Sequence, residues 1–223
     1  MKHLLLKAGL ITAVVVVLGL LIGYWMETRR VDTISKQIDE LSIQNSDALL
    51  QMSYLENFKN KENFCNTTVN KTLELIHNAI QKGMDLERYE KINRLAPGFL
   101  EEKKQYATLL LRLWFNTIEL KNICEEDYST IVYFYKQYAG SGAKKTAQDI
   151  QSRALLELES VCGKNNVLIF ALPYDLNITT ISLITNQYNI TKTPATLVNE
   201  EVIFEGVTNY NEIVPYIKCD KND

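Results

Sequence analysis

The sequence predicts an α/β domain built on a central mixed sheet, preceded by one transmembrane helix, a helical stalk and a small helical bundle. Three observations support this fold class: an uncharged apolar run near the N-terminus, helical spacing of apolar residues through the first half, and apolar β-branched runs that alternate with helical spacing in the second half. The 223 residues divide accordingly into an anchor at 1–29, a stalk at 30–60, a bundle at 61–125 and the α/β domain at 126–223.

The predicted anchor is the uncharged stretch AGLITAVVVVLGLLIGYW at 8–25, which three leucines at 4–6 extend past Lys7. A helix of this length rises roughly 27 Å, close to the hydrocarbon thickness of a bilayer. A cleaved signal peptide is the rival interpretation, but the run is longer than a signal core and no small-x-small cleavage site follows it. Tyr24 and Trp25 close the run as an interfacial aromatic pair does. Residues 4–25 are therefore expected to be the contact with a membrane.

The sequons, the cysteines and the net charge indicate where the protein is located and which class of partner it does not bind. Four N-x-S/T sequons and an even number of four cysteines favour a single-pass cell-membrane protein with its bulk outside the cytoplasm; the sequon asparagines are Asn66, Asn70, Asn177 and Asn189. The net charge of −3 argues against a nucleic-acid partner, because phosphate binding needs clustered Lys and Arg.

The stalk carries an apolar seam with alternating steps of three and four, which is typical of a coiled coil. The seam consists of Val31, Ile34, Ile38, Leu41, Asn45, Ala48, Met52 and Leu55. Two interpretations stay open: a homodimer through residues 31–55, or an amphipathic helix packed on its own chain. Ile43, Leu49, Leu50 and Phe58 favour the second because they broaden the apolar face beyond a narrow seam.

The bundle is predicted to hold a helix with an apolar stripe at 69–80 that stops near Gly83, a short helix at 86–95 that ends at Pro97-Gly98, and a long helix at 99–124. His77 has no second imidazole nearby, since His3 is the other histidine of the chain. The sequence therefore predicts no metal site and no cofactor.

Strand and helix signals alternate after residue 129. Strands are expected at 130–135, 167–172, 195–199 and 201–204, and helices at 143–162, 177–189 and 209–219. The resulting order is β-α-β-α-β-β-α.

This order, together with the stretch YNITKTPATLVNEEVIFEG at 188–206, resembles the thioredoxin family over about residues 128–219. In that family a helix leads through a threonine or valine into a cis proline and an apolar strand. The resemblance implies a cis Pro194 and a Thr193 backbone turned toward the active-site end.

The redox motif of that family is degenerate here. The family's W-C-G-P-C motif corresponds to YAGSG at 138–142, where Tyr138 takes the tryptophan position and Ala139 and Gly142 take the cysteine positions. Gly140 is kept, and Ser141 is a candidate N-cap rather than a nucleophile, because no histidine lies nearby to activate it. The sequence therefore offers no catalytic residue at this position.

The resemblance also implies a disulfide pairing. It places the helix at 143–162 and the last helix side by side, so that Cys162 and Cys219 meet, and chain reversals in the bundle bring Cys65 to Cys124. Four unpaired thiols remain the alternative.

The function expected from these features is that of a redox-inactive, thioredoxin-like binding protein, membrane-anchored and external. By the resemblance, a groove holds an extended protein or peptide partner; its predicted residues are Thr193, Pro194, Tyr138, Tyr135 and Ile178. Two alternatives remain: a thiol-disulfide oxidoreductase that uses the cysteines outside the motif, and a purely structural dimeric stalk protein.

Overall fold

A computed structural model describes residues 2–57, 61–92, 99–140 and 142–219. The first half forms three long helices: α1 at Lys2–Asn57, α2 at Lys61–Ile92 and α3 at Phe99–Cys124. The second half forms β1 at Ser129–Tyr135, α4 at Ala143–Cys162, β2 at Val167–Pro173, α5 at Thr179–Gln187, β3 at Ala195–Val198, β4 at Val202–Glu205 and α6 at Tyr210–Ile213, followed by a 3₁₀ turn at Val214–Tyr216.

The four strands form one mixed sheet in the order β2-β1-β3-β4. β1 pairs with β2 in parallel, and β3 is antiparallel to both β1 and β4. Successive side chains of a strand point to opposite faces, so each face of the sheet supports its own core. Val132 and Phe134 of β1 belong to the first core, with α3 and α5, and Ile131 and Tyr133 belong to the second, with α4 and α6.

The predicted transmembrane anchor at 4–25 is wrong. Among the described residues, no helix combines the length and the apolar character needed to cross a bilayer. The prediction was based on one uncharged run alone. In the structure this run is part of a longer helix, α1, which continues through a polar sequence without a break to Asn57. The predicted location as a single-pass protein of the cell membrane is therefore wrong as well.

The predicted fold class is also wrong for the chain as a whole. Helices of 56, 32 and 26 residues dominate it, and the described sheet has four strands of seven residues or fewer. The helices share a core with the sheet rather than holding it at a distance: Leu41 of α1, Ile76 of α2 and Trp114 of α3 lie in the first core with Phe134 and Phe170. The apolar sides of α1, α2 and α3 therefore share one core with one face of the sheet.

Residues of the predicted heptad seam pack against other helices of the same chain. Ile38, Leu41, Asn45 and Ala48 are buried, and Asn116 Nδ2 of α3 donates to Asn45 Oδ1 at 2.7 Å. The side chains of Val31, Ile34, Met52 and Leu55, like Phe58, lie outside the described residues. A homodimer through 31–55 stays a prediction, and it would have to compete with this intrachain packing.

Gly83 does not end a helix as expected, because α2 runs through it to Ile92. A Cβ atom built at Gly83 would lie 2.0 Å from the hydroxyl oxygen of Tyr106 on α3. The glycine therefore leaves room for the Tyr106 side chain against α2.

The turn between β3 and β4 attaches the sheet to α3. The Glu200 carboxylate accepts hydrogen bonds from Trp114 Nε1 and Thr130 Oγ1, each at 2.6 Å. Tyr188, the C-cap residue of α5, donates from Oη to the Glu200 carbonyl at 2.9 Å. One acidic turn residue thus joins a helix, the central strand and α5.

Both predicted disulfides are confirmed. Cys65 is bonded to Cys124, with Cα atoms 5.5 Å apart, and Cys162 is bonded to Cys219, with Cα atoms 4.5 Å apart. The first joins the beginning of α2 to the end of α3, and the second joins the end of α4 to the segment after the 3₁₀ turn.

Candidate functional site

The predicted groove residues belong to segments that meet at one edge of the sheet, called here the carboxyl-end edge: the ends of β1, β2 and β4 and the beginning of β3. The strand registers define it, because Tyr135 pairs with Pro173, Phe134 with Ala195, and Ala195 with Glu205. In this register, Pro194 follows on next to Tyr135. The topology therefore assembles the site from parts distant in sequence.

The Thr193–Pro194 peptide bond is cis, as expected from the sequence. Pro194 is buried, and its carbonyl accepts a hydrogen bond from Gly206 N–H at 2.7 Å. Thr193 is half-buried, and no described residue forms a hydrogen bond with its backbone N–H or C=O.

Glu205, the last residue of β4, anchors the chain that leads to Thr193. Its carboxylate accepts hydrogen bonds from the N–H and hydroxyl of Thr191 and, at 2.9 Å, from Lys192 N–H. These bonds, the Thr191 N–H first among them, lower the pKa of Glu205 because they favour its charged form. The segment before Pro194 is thus held by the neighbouring strand.

The loop after β1 is held by Asp175, which follows β2. Asp175 Oδ1 accepts from Gln137 N–H at 2.7 Å, and Oδ2 accepts from Tyr138 N–H at 3.0 Å. The backbone of Tyr138 is therefore fixed, whereas its side chain is 65% exposed. An immobilised backbone with an exposed aromatic ring is a suitable contact for a partner.

A buried charge cluster ties the same loop to the helices. Lys103 Nζ of α3 lies 2.9 Å from Glu90 Oε2 of α2 and donates to Gln137 Oε1 at 2.8 Å, and Gln137 Nε2 donates to Glu90 Oε1. The side chains of Lys103 and Glu90 are only 8% and 16% exposed. Each charge is therefore paired and hydrogen-bonded, as burial requires.

The other predicted groove residues occupy separate surroundings. Tyr135 packs against the second core and stacks on Tyr133 with ring centroids 5.7 Å apart, and burial raises its pKa. Ile178 packs against the first core. Pro194 contributes through its buried ring, so Thr193 and Tyr138 remain as the accessible parts of the predicted groove.

The degenerate motif leads into α4. Gly140 and Gly142 adopt left-handed φ angles of 72° and 102°, and Gly142 is the N-cap residue of α4. Ala139 is half-buried, and Ser141 lies outside the described residues. Glycine suits both left-handed positions because it has no Cβ atom.

The Cys162–Cys219 disulfide lies at the opposite edge of the sheet. Lys218 N–H donates to Oγ of Ser129, the first residue of β1, at 3.0 Å. Helix α4, with 20 residues, spans roughly 30 Å between this edge and Gly142. Within the described residues no cysteine is free, and no cluster of three His, Cys, Asp or Glu side chains forms a metal site.

Sequence reasoning named Thr193, Pro194 and Tyr138 as candidates but did not indicate Asp175 or the charge cluster of Lys103, Glu90 and Gln137. The bonded partners of Gln137 are 34, 38 and 47 positions away in the sequence. Lys103 and Glu90 stand in the charge-rich stretches FLEEKKQY and DLERYEKI, so no local pattern marks them as a buried pair.

No protein-family model, no curated protein and no solved structure matches this chain. The resemblance to the thioredoxin family therefore remains a prediction from the motifs at 134–143 and 188–206.

Proposed function

We propose that this chain is a non-catalytic binding protein that holds an extended segment of a partner polypeptide at the carboxyl-end edge. The observation that carries the proposal is the backbone of Thr193. It is half-buried at the sheet edge, and both its N–H and its C=O lack a hydrogen-bond partner among the described residues.

The neighbours of Thr193 make this feature specific. Ile190 N–H donates to Thr185 C=O at 2.8 Å, the N–H groups of Thr191 and Lys192 donate to Glu205, and the Pro194 carbonyl is taken by Gly206. Backbone groups that are removed from water are normally paired. An extended peptide that lies beside Thr193 could satisfy both groups, in the manner of strand addition.

Tyr138 supplies the side-chain contact in this proposal. Its backbone is held by Asp175, and its neighbour Gln137 is held by Lys103 and Glu90. A partner would therefore spend little conformational entropy on ordering this loop, which favours affinity. Aromatic residues on rigid supports are common binding anchors.

The thiol-disulfide oxidoreductase alternative has less support. Such exchange needs a thiolate nucleophile at an accessible position. Ala139 and Gly142 occupy the two motif positions, and Cys162 is buried in the second core at the far edge of the sheet. Binding at Thr193 requires none of these thiols.

The full chain can be tested by selection from a displayed library of random peptides, followed by fluorescence anisotropy on the enriched sequences. Tyr138→Ser should weaken binding about tenfold because it removes an aromatic anchor. Leu183→Ser is the matched control, since Leu183 in the middle of α5 is 64% exposed and takes part in none of the contacts described at the carboxyl-end edge. It should leave the affinity unchanged.

A second arm tests the backbone contact. N-methylation of alternate peptide amides should abolish binding in one register and not in the other, because strand-like pairing uses every second residue. Equal loss in Tyr138→Ser and Leu183→Ser, or indifference to methylation, would refute the proposal. Reduction of insulin by the full chain that disappears in a Cys162→Ser/Cys219→Ser variant would establish the enzyme instead.

A further inference from the structure

Four lysines belong to the segments that meet at the carboxyl-end edge. Lys136 follows β1, Lys144 and Lys145 are in the first turn of α4, and Lys192 immediately precedes Thr193. Lys144, Lys145 and Lys192 are exposed, and Lys136 is half-buried. The chain as a whole has a net charge of −3, so a group of four lysines differs from its average composition.

Two hydrogen bonds tie the backbone of Lys136 to α4, the helix that carries Lys144 and Lys145. Lys136 N–H donates to Gln148 Oε1 at 3.0 Å, and Gln148 Nε2 donates to Lys136 C=O at 3.1 Å. Lys144 precedes Gln148 by four residues and therefore lies on the same side of α4, one turn closer to the helix start. Continuing the antiparallel register of Phe134 with Ala195 places Lys136 level with Thr193.

Two acidic groups at this edge accept backbone hydrogen bonds, and a third, the exposed Asp149, lies in the second turn of α4, four residues after Lys145. Both oxygens of Asp175 accept backbone N–H groups, and Glu205 accepts bonds from the N–H and hydroxyl of Thr191 and the N–H of Lys192. Glu205 offsets Lys192 in part. In the part of the chain that the structure describes, the ion pairs found are Arg88–Asp85, Lys103–Glu90, Lys104–Glu101 and Lys218–Asp127, and none includes these four lysines.

We infer that the partner segment held beside Thr193 is acidic, with carboxylates that face Lys136, Lys144, Lys145 and Lys192. The inference rests on the proposed function and names its ligand class. Thr193 pairs with the backbone of the segment, Tyr138 contacts an apolar side chain, and the lysines select for negative charge. Charge complementarity of this kind raises the association rate and sets specificity more than it adds affinity.

The probes are two fluorescein-labelled ten-residue peptides with a central leucine, one with four glutamates and the other with glutamines at those positions. The full chain should bind the glutamate probe about tenfold more tightly, since exposed ion pairs contribute modestly and add up over several contacts. The preference should shrink as salt is raised, because salt screens exposed charges.

Two triple variants remove the same charge from different places. Lys144→Gln/Lys145→Gln/Lys192→Gln should lose the preference for the glutamate probe. Lys36→Gln/Lys71→Gln/Lys164→Gln changes three exposed lysines on α1, on α2 and after α4, and it should retain the preference. Equal loss in both variants overturns the inference, because the net charge alone would then explain the preference.

The outcomes separate the inference from the proposed function. If both probes bind equally and Tyr138→Ser weakens both, the binding function stands and the acidic specificity is overturned. If the glutamate probe binds but neither Tyr138→Ser nor backbone N-methylation affects it, the edge is a nonspecific anion patch and both are overturned. Binding of neither probe overturns the inference, and the library selection then decides the function by itself.

Discussion

Replacing Glu200 tests whether one turn residue holds the sheet against α3. Its carboxylate is the acceptor for Trp114 Nε1 and Thr130 Oγ1, whose residues are 2% and 1% exposed. Glu200→Ala leaves both donors buried without this acceptor. Glu200→Gln keeps an oxygen at the same place and serves as the matched variant.

The expected loss of stability follows from the two buried donors that lose their acceptor. A buried group that loses its partner costs about 1–3 kcal/mol, so Glu200→Ala should lower the free energy of unfolding by about 3 kcal/mol. Glu200→Gln should cost about 1 kcal/mol, the difference between a charged and a neutral acceptor. Glu200 has a positive φ of 57°, and since glutamine and alanine share that backbone penalty, the difference between the variants reports the hydrogen bonds.

Urea unfolding followed by tryptophan fluorescence is a suitable assay, because Trp114 is buried and Trp25 is exposed. A loss of about 2 kcal/mol should separate the two variants and move the thermal midpoint by roughly 4–8 °C. Glu201→Ala, in the same turn and exposed, is the control for changes of charge. Identical stabilities for the alanine and glutamine variants would show that water replaces the carboxylate and that the reasoning is wrong.

Three further predictions concern charge and sulfur. Lys103→Met should cost about 3 kcal/mol in urea unfolding, because it strands buried Glu90, and adding Glu90→Gln should restore part of the loss. Because the pKa of Glu205 is lowered in the fold, its ionised carboxylate stabilises the folded state fully above its ordinary pKa, and this stabilisation is lost as the pH falls through the lowered value. The amide chemical shifts of Thr191 and Lys192 should follow this titration, and they should not do so in Glu205→Gln. Replacing Cys162 and Cys219 by serine should cost about 4 kcal/mol, given 57 residues of separation.

Local sequence signals predicted the bounds of the helices that have a glycine or a cysteine at their ends. Helices expected at 99–124 and 143–162 are observed as Phe99–Cys124 and Ala143–Cys162, and Gly142 and Gly163 flank the second. The last helix was expected to reach Cys219 but ends at Ile213, followed by a 3₁₀ turn at Val214–Tyr216. Pro215 lies in that turn and cannot donate the backbone hydrogen bond that an α-helix requires.

The remaining differences come from interactions between distant residues. The residues of 38–48 fit a dimer seam and an internal helix face equally well, and no local pattern indicates that Asn116 of α3 donates a hydrogen bond to Asn45. The residues of the candidate site likewise fall into those that a local motif indicates and those that depend on distant partners. Thr193 and Tyr138 stand in recognisable motifs, whereas Asp175 and Lys103 act through partners that no local pattern indicates.

The two disulfides determine what a protease can release from this protein. Cys65–Cys124 encloses the connection between α2 and α3, and Cys162–Cys219 encloses most of the sheet and the Thr193 loop. One cut anywhere inside either interval leaves both pieces covalently attached. Limited digestion should therefore show nicked chains that keep their full mass on a non-reducing gel and fall apart only when dithiothreitol is added.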